Sequence, residues 1–146
     1  MNKFMQQAIL LAKEAAKNGE IPVGAVVVKD GEVIATGRNR REKEKSALGH
    51  AEIEAIHNAC QALGTWRLSD CEIYVTLEPC PMCAGAIINS RIKKVVFGAF
   101  DKNGGDCDSV CNLLSMPFSP KPEVWAGIME EECKALLEDF FKNVRQ

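Results

Sequence analysis

The segment Pro79-Cys80-Pro81-Met82-Cys83 does most to limit what this chain can fold into. It follows a short apolar run, Ile73 to Leu77, whose length and composition predict a buried strand. Pro81 stands where a helix can begin, because the first turn leaves its N–H unpaired in any case. The small residues after it, Ala84, Gly85 and Ala86, suit a helix packed closely on its neighbours. A strand that turns straight into a helix predicts an alternating α/β chain.

The remaining segments fit that order. Met5, Ala8, Ile9, Ala12 and Ala16 recur at helical spacing, and Asn18-Gly19 stops this first helix. Val23 to Lys29 and Glu32 to Gly37 are β-rich runs joined by Asp30-Gly31, a hairpin signal. The charged stretch Arg38 to Lys45 reads as a loop. From His50 onward, Ile53, Ile56, Cys60 and Leu63 predict the apolar stripe of a second helix. Val95 to Ala99 predicts another strand and Glu123 to Ile128 a fifth. The last helix carries Cys133, Leu136, Leu137, Phe140 and Val144 on one face. The expected fold is a three-layer α/β domain: a mixed sheet with helices on both faces. With 146 residues, one domain over 1–146 is expected.

Charge and cysteine usage narrow the function classes. Eighteen Lys and Arg against 20 Asp and Glu give a net charge of −2, which excludes a general basic coat but leaves room for a local basic patch. No apolar run approaches the ~20 residues that cross a bilayer, and the first residues read as an amphipathic helix rather than a signal peptide. Seven cysteines are an odd count, so a reducing, cytoplasmic compartment is expected. In such a compartment close cysteine pairs are more often metal ligands or catalytic groups.

Two segments carry the chemistry: His50-Ala51-Glu52, opening the second helix, and Pro79-Cys80-Pro81-Met82-Cys83. Two thiolates and one imidazole suit tetrahedral zinc, one ion per chain, and three protein ligands leave a fourth position for water. Helix N-termini favour thiolate over thiol. Glu52 does not share a face with His50 on an ideal helix. With His50 at the helix mouth, however, a buried Glu52 carboxyl in the first turn can take and return a proton. A redox pair or a closed structural site is the alternative for Cys80 and Cys83.

The pattern His-x-Glu followed by Pro-Cys-x-x-Cys resembles the signature of the zinc nucleobase deaminases. The likeness extends to Ile21-Pro22-Val23-Gly24-Ala25-Val26, Gly64-Thr65-Trp66-Arg67-Leu68, Val75-Thr76-Leu77-Glu78-Pro79-Cys80, Ser90-Arg91-Ile92, Val96-Phe97-Gly98-Ala99, Glu132-Cys133 and Asp139-Phe140-Phe141. These resemble the bacterial tRNA-specific adenosine deaminase family over nearly the whole chain. The resemblance implies a cytidine-deaminase-like α/β/α sandwich around a five-stranded sheet, usually a homodimer. It also implies hydrolytic conversion of adenosine to inosine at the wobble position of a tRNA anticodon. By the same likeness, His50, Cys80 and Cys83 bind zinc and Glu52 shuttles the proton. Asn39 would hold the flipped base with its side-chain amide, and the backbone amide of Ala51 would recognise the ring.

The chain departs from the family pattern at Leu48-Gly49, at Asp108 and at Ser119-Pro120-Lys121, all where a nucleic acid would be gripped. A zinc deaminase of a free base or nucleoside, guanine or cytidine, is therefore the rival enzyme; a zinc-stabilised binding domain is the rival from another class. Arg38, Arg40, Arg41, Lys43 and Lys45, with Lys142 and Arg145, are candidates for phosphate contact, although Glu42 and Glu44 interrupt the first run. Cys107 and Cys111 read as ordinary thiols, Cys60, Cys71 and Cys133 as small core residues, and His57 as a partly exposed structural histidine. Phe140 and Phe141 are consecutive, so one of them faces outward.

Overall fold

The computed structural model describes residues 2–101, 105, 113–115, 117 and 121–144. Helix α1 spans Asn2–Lys17, and strands β1 (Gly24–Lys29) and β2 (Glu32–Arg38) follow. A short helix α2 (Arg41–Glu44) precedes helix α3 (Ala51–Leu63), strand β3 (Cys71–Leu77) and helix α4 (Pro81–Asn89). Strand β4 (Lys94–Ala99), a 3-10 turn at Leu113–Ser115, strand β5 (Glu123–Trp125) and helix α5 (Glu130–Val144) complete the order.

The sheet runs β2-β1-β3-β4-β5. Strand β1 is antiparallel to β2 and β3, while β3, β4 and β5 are parallel, so the sheet is mixed and five-stranded as expected. Asp30 and Gly31 both take positive φ (52° and 77°), as the tight right-twisted hairpin turn requires. Period-2 alternation divides the strand residues between two cores. Ala25, Val27, Ile73, Val75, Val95 and Phe97 pack under α3 and α4, while Val26, Val28, Tyr74 and Val96 pack under α1 and α5.

Two strand glycines set how closely the helices approach. A Cβ on Gly24 would strike the α1 backbone at Ala8 and Ala12. One on Gly37 would strike the α3 backbone at Ala51 and Ala55. This contact rotates α3 from the expected stripe: Ala51, Ala55, Ile56 and Ala59 are buried, while Ile53, Cys60 and Leu63 are only half-buried. In α1, likewise, Ala15 rather than Ala16 is buried.

Three further expectations are corrected. The charged stretch is not a plain loop, since β2 runs through Arg38 and α2 follows. Strand β5 ends at Trp125 rather than Ile128, and β1 begins at Gly24 rather than Val23. Phe140 is half-buried and Phe141 exposed, their rings edge to face at 5.5 Å. No described helix is long and apolar enough to cross a membrane.

Candidate active site

The ends of α3 and α4 bring the two signature segments together. His50 is the N-cap of α3, extended at φ −90° and ψ 149°, and its carbonyl accepts from the Glu54 N–H at 3.1 Å. Cys80 is the N-cap of α4 at φ −74° and ψ 171°, with Pro81 opening the helix and the Ala84 N–H donating to its carbonyl at 2.8 Å. Because an N-cap residue stands outside the helical spiral, His50 and Cys80 can turn toward each other across the gap between the helices. Cys83, one turn into α4, is buried.

His50 Nδ1 lies 3.6 Å from Cys80 Sγ and 3.5 Å from Cys83 Sγ. All three donor atoms fall within 4.8 Å of one another, and among the described residues this is the group of His, Cys, Asp and Glu able to hold a metal ion. Two sulfurs and a nitrogen converging at that spacing fit a soft, tetrahedral ion. A hydrogen bond from Cys83 holds Cys80 down at about 4, and that same bond with burial pushes the Cys83 thiol up. The hydrogen bond to Cys80 also raises His50.

Glu52, in the first turn of α3, is buried. Burial lifts its carboxyl to about 7, against the pull of a backbone hydrogen bond. Asn39 is buried where β2 ends; its N–H donates to the Val23 carbonyl at 3.2 Å. Its Oδ1 accepts from the Ala51 N–H at 3.1 Å, so both expected base-contact residues meet at the start of α3. That bond commits the Ala51 amide and leaves Nδ2 as the Asn39 donor.

Two buried carboxylates near the site escape sequence reasoning. Glu20 Oε1 and Oε2 accept from the N–H groups of Glu42 (3.1 Å) and Lys43 (2.9 Å). Glu78 Oε1 accepts from the Asp101 N–H at 3.0 Å, and a Cβ on Gly105 would run into that carboxylate. The amides they accept from lie more than 20 residues away in the chain, so local spacing gives no sign of these bonds. The Leu48-Gly49 departure has a structural basis: Gly49 accepts from the Arg40 N–H at 2.8 Å, and a Cβ there would lie 2.9 Å from the Arg41 nitrogen. Leu48 is 61% exposed beside a groove of about 330 Å3 that leads from His50.

In the basic stretch, Arg38 pairs with Glu14 at 3.0 Å and Arg40 with Glu54 at 2.7 Å. Arg41, Lys43 and Lys45 are exposed and make no ion pair among the described residues. Cys71 and Cys133 are buried, Cys60 half-buried and His57 exposed. Cys107, Cys111, Asp108, Ser119, Pro120 and Arg145 lie outside the described residues.

Fold and site together define a deaminase of the α/β/α class, and the family model of MafB19-like deaminases matches residues 1–145. Within that class the chain belongs to the tRNA-specific adenosine deaminase family. It is 51% identical over 144 residues to the tRNA-specific adenosine deaminase of Bacillus subtilis (strain 168), covering 98% of this chain and 89% of the relative. A solved structure from work on A-to-I editing by tRNA:A34 deaminases at the wobble position superposes with a TM-score of 0.91 at 42% identity, covering 94% of this chain and all of that one. The guanine deaminase of Bacillus subtilis is 44% identical at a TM-score of 0.65, over 67% of this chain and 63% of its own.

Proposed function

We propose that this protein converts adenosine to inosine at the wobble position of a tRNA anticodon by hydrolytic deamination. The observation that carries the reading is the convergence of His50, Cys80 and Cys83 within 4.8 Å, with the buried Glu52 carboxyl two residues after His50 in the first turn of α3. The 51% identity to a tRNA-specific adenosine deaminase over 98% of the chain supports the substrate.

His50, Cys80 and Cys83 would hold one zinc ion. When bound, zinc acidifies a coordinated water, so that hydroxide is available at neutral pH. Glu52, with its carboxyl near 7, would take one proton from the water and hand it to the ring nitrogen, where it stays. It would then take the second proton from the hydroxyl added to the ring carbon and hand it to the amine, which leaves as the C–N bond breaks. Adenosine and water thereby become inosine and ammonia. The adenine must leave the loop's stack to reach so recessed a carboxyl. Asn39 Nδ2 hydrogen-bonds the flipped base, while Asn39 Oδ1 fixes Ala51, whose amide borders the ring. Arg41, Lys43 and Lys45, free of ion pairs among the described residues, meet the flanking phosphates, with Lys142 contributing from α5.

The working unit is a homodimer in the bacterial cytoplasm, with one domain per chain over residues 1–146. The interface lies over a groove of about 370 Å3 lined by Ile56, Cys60 and Ala86, with Trp66 exposed at its edge to meet a second copy. The test of this function is inosine formation in an anticodon stem-loop by protein that holds stoichiometric zinc. Ammonia release from free guanine with an inert stem-loop would favour the free-base reading.

A further inference from the structure

We propose that Glu20 is a positioning residue for the RNA: its buried carboxylate caps helix α2 from outside and so fixes the cationic segment Arg41–Lys45 beside the catalytic mouth. The inference rests on the tRNA-deaminase reading above. Its structural half is independent of that reading.

Helix α2 has four residues and buries none of them. So short a helix has no stability of its own. Its N-cap, Arg40, offers no acceptor and makes no capping bond. The acceptor comes instead from Glu20, which is 3% exposed and takes the N–H groups of Glu42 and Lys43, one on each carboxylate oxygen. A carboxylate suits the positive end of those amides. The way α1 ends delivers Glu20 to that place. Gly19 at φ 79° donates its N–H to the Ala16 carbonyl at 3.1 Å, and the Glu20 N–H donates to Ala15 at 3.0 Å. This paired C-terminal cap turns the chain inward.

The bonds divide the segment into two halves. Asn39 and Arg40 have anchors of their own: Val23, Ala51, Gly49 and Glu54. Arg41 to Lys45 are held by Glu20, by the close approach of Arg41 to Gly49, and at their far end by Glu44, whose N–H donates to the Arg40 carbonyl at 3.0 Å and whose carboxylate lies 4.0 Å from the Arg40 guanidinium. Glu44 and Ser46 line the same groove as His50, and the Arg41 backbone backs onto Gly49, the residue before His50, so the segment stands at the site's rim. Loss of Glu20 therefore releases the phosphate-gripping half and leaves the base-gripping half in place. Because α2 contributes nothing to either core, the rest of the fold should survive.

The experiment compares zinc-loaded wild type, Glu20→Ala and Glu20→Gln by amide hydrogen exchange and by steady-state deamination of an anticodon stem-loop. Glu20→Ala should speed exchange across residues 41–45 with protection elsewhere intact. It should raise KM about tenfold, as expected when the ordered segment falls to about a tenth of the population, with kcat little changed. Glu20→Gln keeps one acceptor oxygen and should recover most of both effects. Unchanged exchange at Glu42 and Lys43 overturns the capping role. Faster exchange with an unchanged KM, or a fall in kcat with KM constant, overturns the RNA role. A wild type inert on the stem-loop overturns the function and the RNA role together, and it is distinguished because exchange still reports whether Glu20 holds α2.

Discussion

Burial lifts the Glu52 carboxyl to about 7, while the neighbouring Cys80 is held as a thiolate down to about 4. Two acids in one site thus stand differently at neutral pH: Glu52 is near the midpoint of its titration, able to take a proton and return it, while Cys80 carries the lone pair a metal ligand needs. Replacing Glu52 removes the first without touching the donors of the second. Glu52→Ala should keep zinc and fold while losing about 10²–10⁴ in kcat. Cys80→Ala should lose the zinc itself, and metal analysis beside the assay separates the two. Glu52→Ala with wild-type turnover would place the proton shuttle elsewhere.

At the scale of elements, the close seating of α1 and α3 on glycines accounts for where the site residues sit. Gly37 brings the α3 backbone onto β2, which places the Ala51 N–H within reach of Asn39 just beyond the strand end. A Cβ at 37 has backbone rather than a flexible side chain in its way, so relief requires α3 to move. Gly37→Ala should cost ~1–3 kcal/mol in urea unfolding, as overpacked positions do; an unshifted midpoint would show that the helix does not depend on that contact. The same feature explains what was legible in sequence. The hairpin, the buried strands and the Pro81 helix start could be read, because Asp30-Gly31, period-2 apolar runs and an N-terminal proline act locally. The metal-donor cluster could be read as well, since its spacing is a motif. The true buried face of α3 could not, because a search by size passes over Ala51, Ala55 and Ala59, which gain their place from a glycine on another element. Helix α2 was missed for a related reason: its cap lies more than 20 residues back, at Glu20.

For the whole molecule, a net charge of −2 means that an RNA substrate would have to be held by a few local cations rather than a general field, so its affinity should weaken as salt screens them. The groove along α3 and α4, with Trp66 54% exposed at its edge, predicts a particle of twice 16.0 kDa by light scattering at micromolar concentration. A monomer mass there would remove the proposed interface. The substrate itself is decided by one comparison on zinc-loaded protein: inosine formed in a tRNA anticodon stem-loop against ammonia released from free adenosine, cytidine and guanine. A flipped base recovers its unstacking cost only through contacts to flanking nucleotides, so the stem-loop should be turned over efficiently and the free compounds little or not at all. Rapid turnover of a free base or nucleoside, with no inosine in the stem-loop, would contradict the assignment.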